Sequence, residues 1–141
     1  MEKCLQVVAD ERCIGEAFSF VEGMLETVPG CSRVDVLKFH MIVDEIFSNI
    51  AKYAYEEERG QVFISFFYDE AKKNVILIFR DDGQEYDPTK KEDPDISLPA
   101  SERSIGGLGI FMVKNTVDEF MYERKDGWNV LTLIKTIGGT G

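Results

Sequence analysis

Three groups of residues have the types and spacing to do chemistry. Glu45 and Asn49 are four apart and Lys52 follows seven after Glu45, so on a helix the three share one side. They would offer one ligand a base, a metal-ligating amide oxygen and a phosphate clamp. The same trio also reads as an ordinary solvated face, a Glu with a Lys. Next, Asp81-Asp82-Gly83 follows the apolar stretch Val75–Phe79 and Arg80. A carboxylate at a strand's end could accept a hydrogen bond from an exocyclic amine, and Gly83 would let a flat base approach the backbone. The plainer alternative is an Asp-Gly turn that ends the strand. Third, Gly106-Gly107-Leu108-Gly109-Ile110 stands where a helix begins. Free N–H groups and the helix dipole favour an anion there, although a hinge and cap would use the same residues. No Gly-Lys-Ser/Thr follows, so this is not a Walker P-loop.

These residues need elements to hold them. Residues 4–9 read as a short strand, and Asp10 as the N-cap of a helix from about Glu11 to Val28. Its stripe is Ile14, Ala17, Phe18, Val21 and Leu25, ended by Pro29-Gly30. Ser32 with Asp35 resembles a capping box and opens a second helix to about Tyr55. That helix carries Glu45, Asn49 and Lys52, with Ile42, Ile46 and Ile50 on the apolar arc. Val62–Tyr68 and Asn74–Arg80 form a predicted antiparallel hairpin. Residues 81–105 hold Pro88, Pro94 and Pro99 and lack apolar periodicity, which suits a functional lid. A helix from about Leu108 to Thr116 follows. Strands Phe120–Glu123 and Val130–Ile137 close the chain around the turn Asp126-Gly127. The sum is an α+β sandwich: one domain over 1–141, a mixed, mostly antiparallel sheet, and helices on one face.

Composition narrows the function. The chain has 141 residues and a net charge of −10, which disfavours nucleic acid and anionic membrane as direct partners. The longest unbroken apolar run, Val75–Phe79, is five residues, far below the ~18–20 that a membrane helix needs. No secretory signal is visible at the N-terminus. Cys4, Cys13 and Cys31 are odd in number and widely spaced, as expected of reduced thiols in a cytoplasm. His40 is the single histidine, so a His-rich metal site is excluded.

The order of the motifs is more specific than any one of them. A helical Glu-x-x-x-Asn, a strand ending in Asp-x-Gly, a Pro-rich lid and a Gly-x-Gly opening a helix resemble the GHKL, or histidine-kinase-like, ATP-binding fold. The short form is most similar to the anti-sigma-factor serine/threonine kinases of bacterial partner-switching systems. Asp44–Tyr55 looks like the N-box, Asp81-x-Gly83 like the first glycine box, and Gly107–Phe111 like the second. The resemblance implies that Asn49 holds Mg²⁺ on the phosphates of ATP and that Glu45 is the general base for a protein serine hydroxyl. Lys52 would lie near the phosphates, and Asp81 would read the adenine amino group with Gly83 beneath the base. Gly107, Leu108 and Gly109 would wrap the phosphates at the end of an ATP lid over 81–106. Arg103 would touch the terminal phosphate, unless it is only a solvated loop charge. Glu85 replaces the second glycine of the common box, and Tyr53 stands where this branch often has His. The adenine-contacting threonine of the last strands is not placed; Asn129 and Thr132 are both available.

The implied partners are an anti-sigma-factor antagonist as substrate, a sigma factor or similar regulator, and a second copy in a homodimer. Two other readings compete. One is a non-catalytic module in which ATP and ADP gate protein binding through the lid. The other is a histidine-kinase catalytic domain acting in trans.

Overall fold

A computed structural model describes residues 2–55, 60–90 and 107–138. Strand β1 (Glu2–Val8) is followed by a 3-10 turn (Glu11–Cys13) and helices α1 (Ile14–Leu25) and α2 (Arg33–Tyr53). Strands β2 (Gln61–Asp69) and β3 (Asn74–Asp81), a 3-10 turn (Pro88–Lys90), helix α3 (Gly107–Thr116) and strands β4 (Glu119–Lys125) and β5 (Trp128–Thr136) complete it. The sheet order is β1-β2-β3-β5-β4, and each of the four pairings is antiparallel. The α+β two-layer reading holds, with an antiparallel sheet.

Local chemistry explains the element ends. Asp10 accepts from the Arg12 N–H at 2.9 Å and is clamped by the Arg12 guanidinium at 2.8 Å. The first helix is therefore entered through a tight turn and begins at Ile14, not Glu11. It ends three residues before Val28, because Thr27 and Val28 bond back in the tighter pattern to Met24 and Leu25. Ser32 and Asp35 form the reciprocal capping box, worth about 1 kcal/mol to α2. The β4–β5 turn places Asp126 at φ 51° and Gly127 at φ 84°, the geometry of a two-residue hairpin loop.

Alternation along the strands sends Val62, Ile64, Phe66, Val75, Leu77, Phe79, Leu131 and Leu133 to one face, all buried. On this face pack Val21 and Leu25 of α1, Phe39, Ile42, Val43, Ile46 and Phe47 of α2, and Ile110 and Val113 of α3. Strands β3 and β5 are each longer at the site end than the periodicity predicts. β3 runs on to Asp81 and β5 starts at Trp128, so Asp81 and Asn129 meet as partners on the last rung.

Candidate functional site

From Leu77 and Leu133 to Phe79 and Leu131 the inward face of β3 and β5 is apolar, and at the next rung it turns polar. Asp81 is 2% exposed and Asn129 5%. The Asn129 amide donates to Asp81 Oδ1 at 2.9 Å, and the Gly83 N–H donates to the same oxygen at 3.0 Å. Among the described residues no hydrogen bond reaches Asp81 Oδ2. Asp81 lines a hollow together with Ile46, Asn49, Ile50, Tyr86 and Leu131. Burial pushes the Asp81 carboxyl above the ordinary Asp range, and the bonds from Asn129 and Gly83 oppose the shift.

Asn129 is the hub of this end. Its other amide proton goes to the Gln84 carbonyl at 2.8 Å. Its Oδ1 accepts from the Tyr122 hydroxyl at 2.5 Å and from the Arg124 guanidinium at 3.1 Å. The same Arg124 nitrogen reaches the Gly83 carbonyl at 2.7 Å. An inward Asn on a strand otherwise sending leucines inward was the available signal; Tyr122 and Arg124 gave none, being one polar tip and one charge on an edge strand.

Gly83 packs against the end of α2. A Cβ there would overlap the Ala54 carbonyl, and Gln84 N–H donates to that carbonyl at 2.8 Å. The glycine lets the strand end dock on the C-terminus of α2. Tyr55 pins the same junction: its hydroxyl lies 2.7 Å from the Asp82 carboxylate and 3.1 Å from the Gln61 carbonyl. Burial and Asp82 drive that phenol far above its usual titration range. Beside it, Tyr53 stacks on Tyr86 with centroids 5.1 Å apart.

Asn49 reaches the hollow from α2. Its amide nitrogen donates to the Glu45 carbonyl at 2.6 Å, which leaves Oδ1 as the outward acceptor. A hard cation takes such an oxygen. Among the described residues no cluster of three or more His, Cys, Asp or Glu stands together. The hollow has about 20 Å³, room for a water or so. Tyr86, Pro88 and Tyr122 are among the side chains that line it.

Glu45 opens on a second space, a polar cleft of about 370 Å³ bounded also by Glu11, Asp44, Ser48 and Lys52. Its carboxylate lies against α3 so closely that a Cβ on Gly109 would collide with it. Burial and then Asp44 raise the Glu45 carboxyl above the ordinary Glu range, while Lys52 opposes them. The structure therefore separates Lys52 from the Asp81 hollow: its ammonium faces Glu11 at 3.7 Å on the Glu45 side. Asn49 lines the hollow and is tied through its amide to the Glu45 carbonyl, one turn earlier on α2. Gly107, Leu108 and Gly109 form the first turn of α3. Arg103 and the 91–106 part of the lid lie outside the described residues.

Residues 7–135 match the model of the histidine kinase-like ATPase domain, and the chain belongs to that family. It is 29% identical over 93 residues to the serine/threonine-protein kinase BtrW of Bordetella bronchiseptica, covering 66% of this chain and 65% of that protein. It is 27% identical over 106 residues to the serine-protein kinase RsbW of Bacillus thuringiensis, and 26% over the same length to that of Bacillus cereus. Each alignment covers 72% of this chain and 65% of the relative. The matches thus span just under two thirds of these relatives. Among the described residues no helix is long and apolar enough to cross a membrane.

Proposed function

We propose that the chain is an ATP-dependent protein serine/threonine kinase that phosphorylates an anti-sigma-factor antagonist. We further propose that it binds a sigma factor or similar regulator, works in the cytoplasm and pairs as a homodimer. One observation carries the reading: Asp81 and Asn49 line one hollow, while Glu45, one helical turn before Asn49, lines an open cleft with the first turn of α3 against it. The family match and the names of the relatives support it.

In this reading Asp81 Oδ2 accepts from the adenine amino group at the closed end. Asn49 Oδ1 would hold Mg²⁺, which neutralises phosphate charge when bound. The N–H groups of Gly107, Leu108 and Gly109 face the phosphates, and Arg103 touches the terminal one. Lys52 adds positive charge on the cleft side. The acceptor serine enters the cleft. Its oxygen attacks the terminal phosphorus, its proton passes to Glu45, and the bond to the bridging oxygen breaks to release ADP. Phosphoryl transfer needs positioning and charge neutralisation more than covalent help, so this short list of side chains suffices.

The test is thermal unfolding with ATP and Mg²⁺ for wild type and Asn49→Ala. Ligand at about 100 times its dissociation constant stabilises by about 2.7 kcal/mol. A wild-type shift that shrinks in Asn49→Ala supports the site; no shift in either removes the kinase reading.

A further inference from the structure

The β4–β5 hairpin does more than close the sheet. Its two-residue turn pairs Lys125 with Trp128, and the next rung sets Arg124 opposite Asn129. Tyr122 is two residues from Arg124 and so on the same face of β4. Both send a donor to Asn129 Oδ1, the Tyr122 hydroxyl at 2.5 Å and Arg124 Nη1 at 3.1 Å. The backbone N–H of Tyr86 faces that oxygen too, at 3.4 Å. The two protons of the Asn129 amide nitrogen go to Asp81 Oδ1 and the Gln84 carbonyl. Arg124 Nη1 also donates to the Gly83 carbonyl at 2.7 Å. One guanidinium nitrogen thus touches both residues that donate to Asp81 Oδ1, Asn129 and Gly83.

Donor and acceptor types fix the direction of this circuit. A guanidinium has donors and no acceptor, so the Asn129 amide turns its oxygen to Arg124 and its nitrogen to Asp81. A backbone N–H is likewise a donor only, and Asp81 Oδ1 is held as an acceptor from both sides. Burial works against the charged form of this carboxyl. The bonds from Asn129 and Gly83 and the charge of Arg124 oppose burial, while Asp82 acts with it. Every opposing group is Arg124 or is bonded to it. We propose that Arg124 is a positioning residue for nucleotide choice: from the edge strand it keeps Asp81 an acceptor, and so selects a base that offers an amine there over one that offers a carbonyl. The proposal rests on the functional reading for the arrival of a base at Asp81. A carboxylate accepts from the 6-amino group of adenine and repels a 6-oxo group, whereas the protonated acid could donate to the oxo group. With Arg124 gone, its charge and its hold on Asn129 and Gly83 go together, a proton on Asp81 costs less, and the preference weakens. Tyr122 assists through its bond to the same Asn129 oxygen.

The experiment is calorimetric titration of the full chain with ATP and with its 6-oxo analogue inosine triphosphate, both with Mg²⁺, for wild type, Arg124→Met, Arg124→Lys and Tyr122→Phe. Wild type should bind ATP much the more tightly. Arg124→Met keeps the stem and loses the donors, and the ratio of the two affinities should fall about tenfold, as for the loss of one charge-assisted hydrogen bond. Arg124→Lys should recover most of the ratio, because a single nitrogen makes both contacts. Tyr122→Phe keeps the ring and loses one donor. It should lower the ratio less, and it decides the matter if Arg124→Met does not fold. Equal weakening of both nucleotides is what a merely structural role would give, and it overturns the proposal. So does a ratio that the variants leave unchanged, or a wild type that binds both nucleotides alike. A wild type that prefers ATP with a ratio indifferent to Arg124 sinks this proposal alone, and one that binds neither nucleotide sinks the kinase reading and this proposal with it.

Discussion

Asp81 is a carboxylate kept at a cost. It is buried on the last rung, its Oδ1 shared by two donors and its Oδ2 without one among the described residues. Its carboxyl is raised above the ordinary Asp range, so the unfolded chain releases this proton first. Stability therefore falls as pH rises from the ordinary Asp value through the raised folded one, and the loss persists at neutral pH. Asp81→Asn keeps both Oδ1 bonds and removes that loss. The expected outcome is a higher melting temperature at pH 7, a gain that vanishes below the ordinary Asp range, and no stabilisation by ATP. Thermal scans across pH, with and without nucleotide, check all three. Asn129→Ala should do the opposite to stability. It strips partners from Asp81, Tyr122, Arg124 and the Gln84 carbonyl, and a loss of about 1–3 kcal/mol should appear in urea denaturation. Asp81 could be picked from the sequence because a carboxylate follows an apolar strand. Asn129 could only be shortlisted, because its role depends on a register between β3 and β5 that lies 48 residues apart in the chain.

Among elements, α2 and α3 do the positioning. The span of α2 was readable from its capping box and apolar arc, because both are local. Which side of Asn49 each neighbour serves was not, because Glu45 and Lys52 share a helix side yet open on a cleft apart from the Asp81 hollow. The contact that decides this is between elements: α3 approaches α2 so closely that only a glycine at 109 leaves room for Glu45. Gly→Ala inside a helix is ordinarily stabilising by about 0.5–1 kcal/mol. Gly109→Ala should therefore fold with unreduced stability, since the flexible end of Glu45 can swing aside, while phosphotransfer falls sharply as the base leaves its place. A drop in transfer at unchanged melting temperature checks it; full transfer would separate Glu45 from the role given to it. The first helix shows the opposite limit of local reading. Its stripe was plain, but the Asp10–Arg12 clamp and the tight turn it sets moved the start from Glu11 to Ile14.

At the scale of the molecule, a −10 chain binds a polyanion by building positive potential locally. Asn49 lines the apolar hollow, and Glu45, one turn before it on α2, lines the polar cleft. The α+β class and the single layer of helices were legible because alternation and helical stripes are properties of the whole sequence. The 91–106 part of the lid lies outside the described residues. The central claim is that Glu45 takes the serine proton, and labelled-phosphate transfer from ATP to a cognate antagonist tests it most directly in Glu45→Ala at saturating nucleotide. The expected result is a rate about 10²–10⁴-fold below wild type, with stabilisation by ATP and Mg²⁺ retained. Transfer at the wild-type rate would contradict the account.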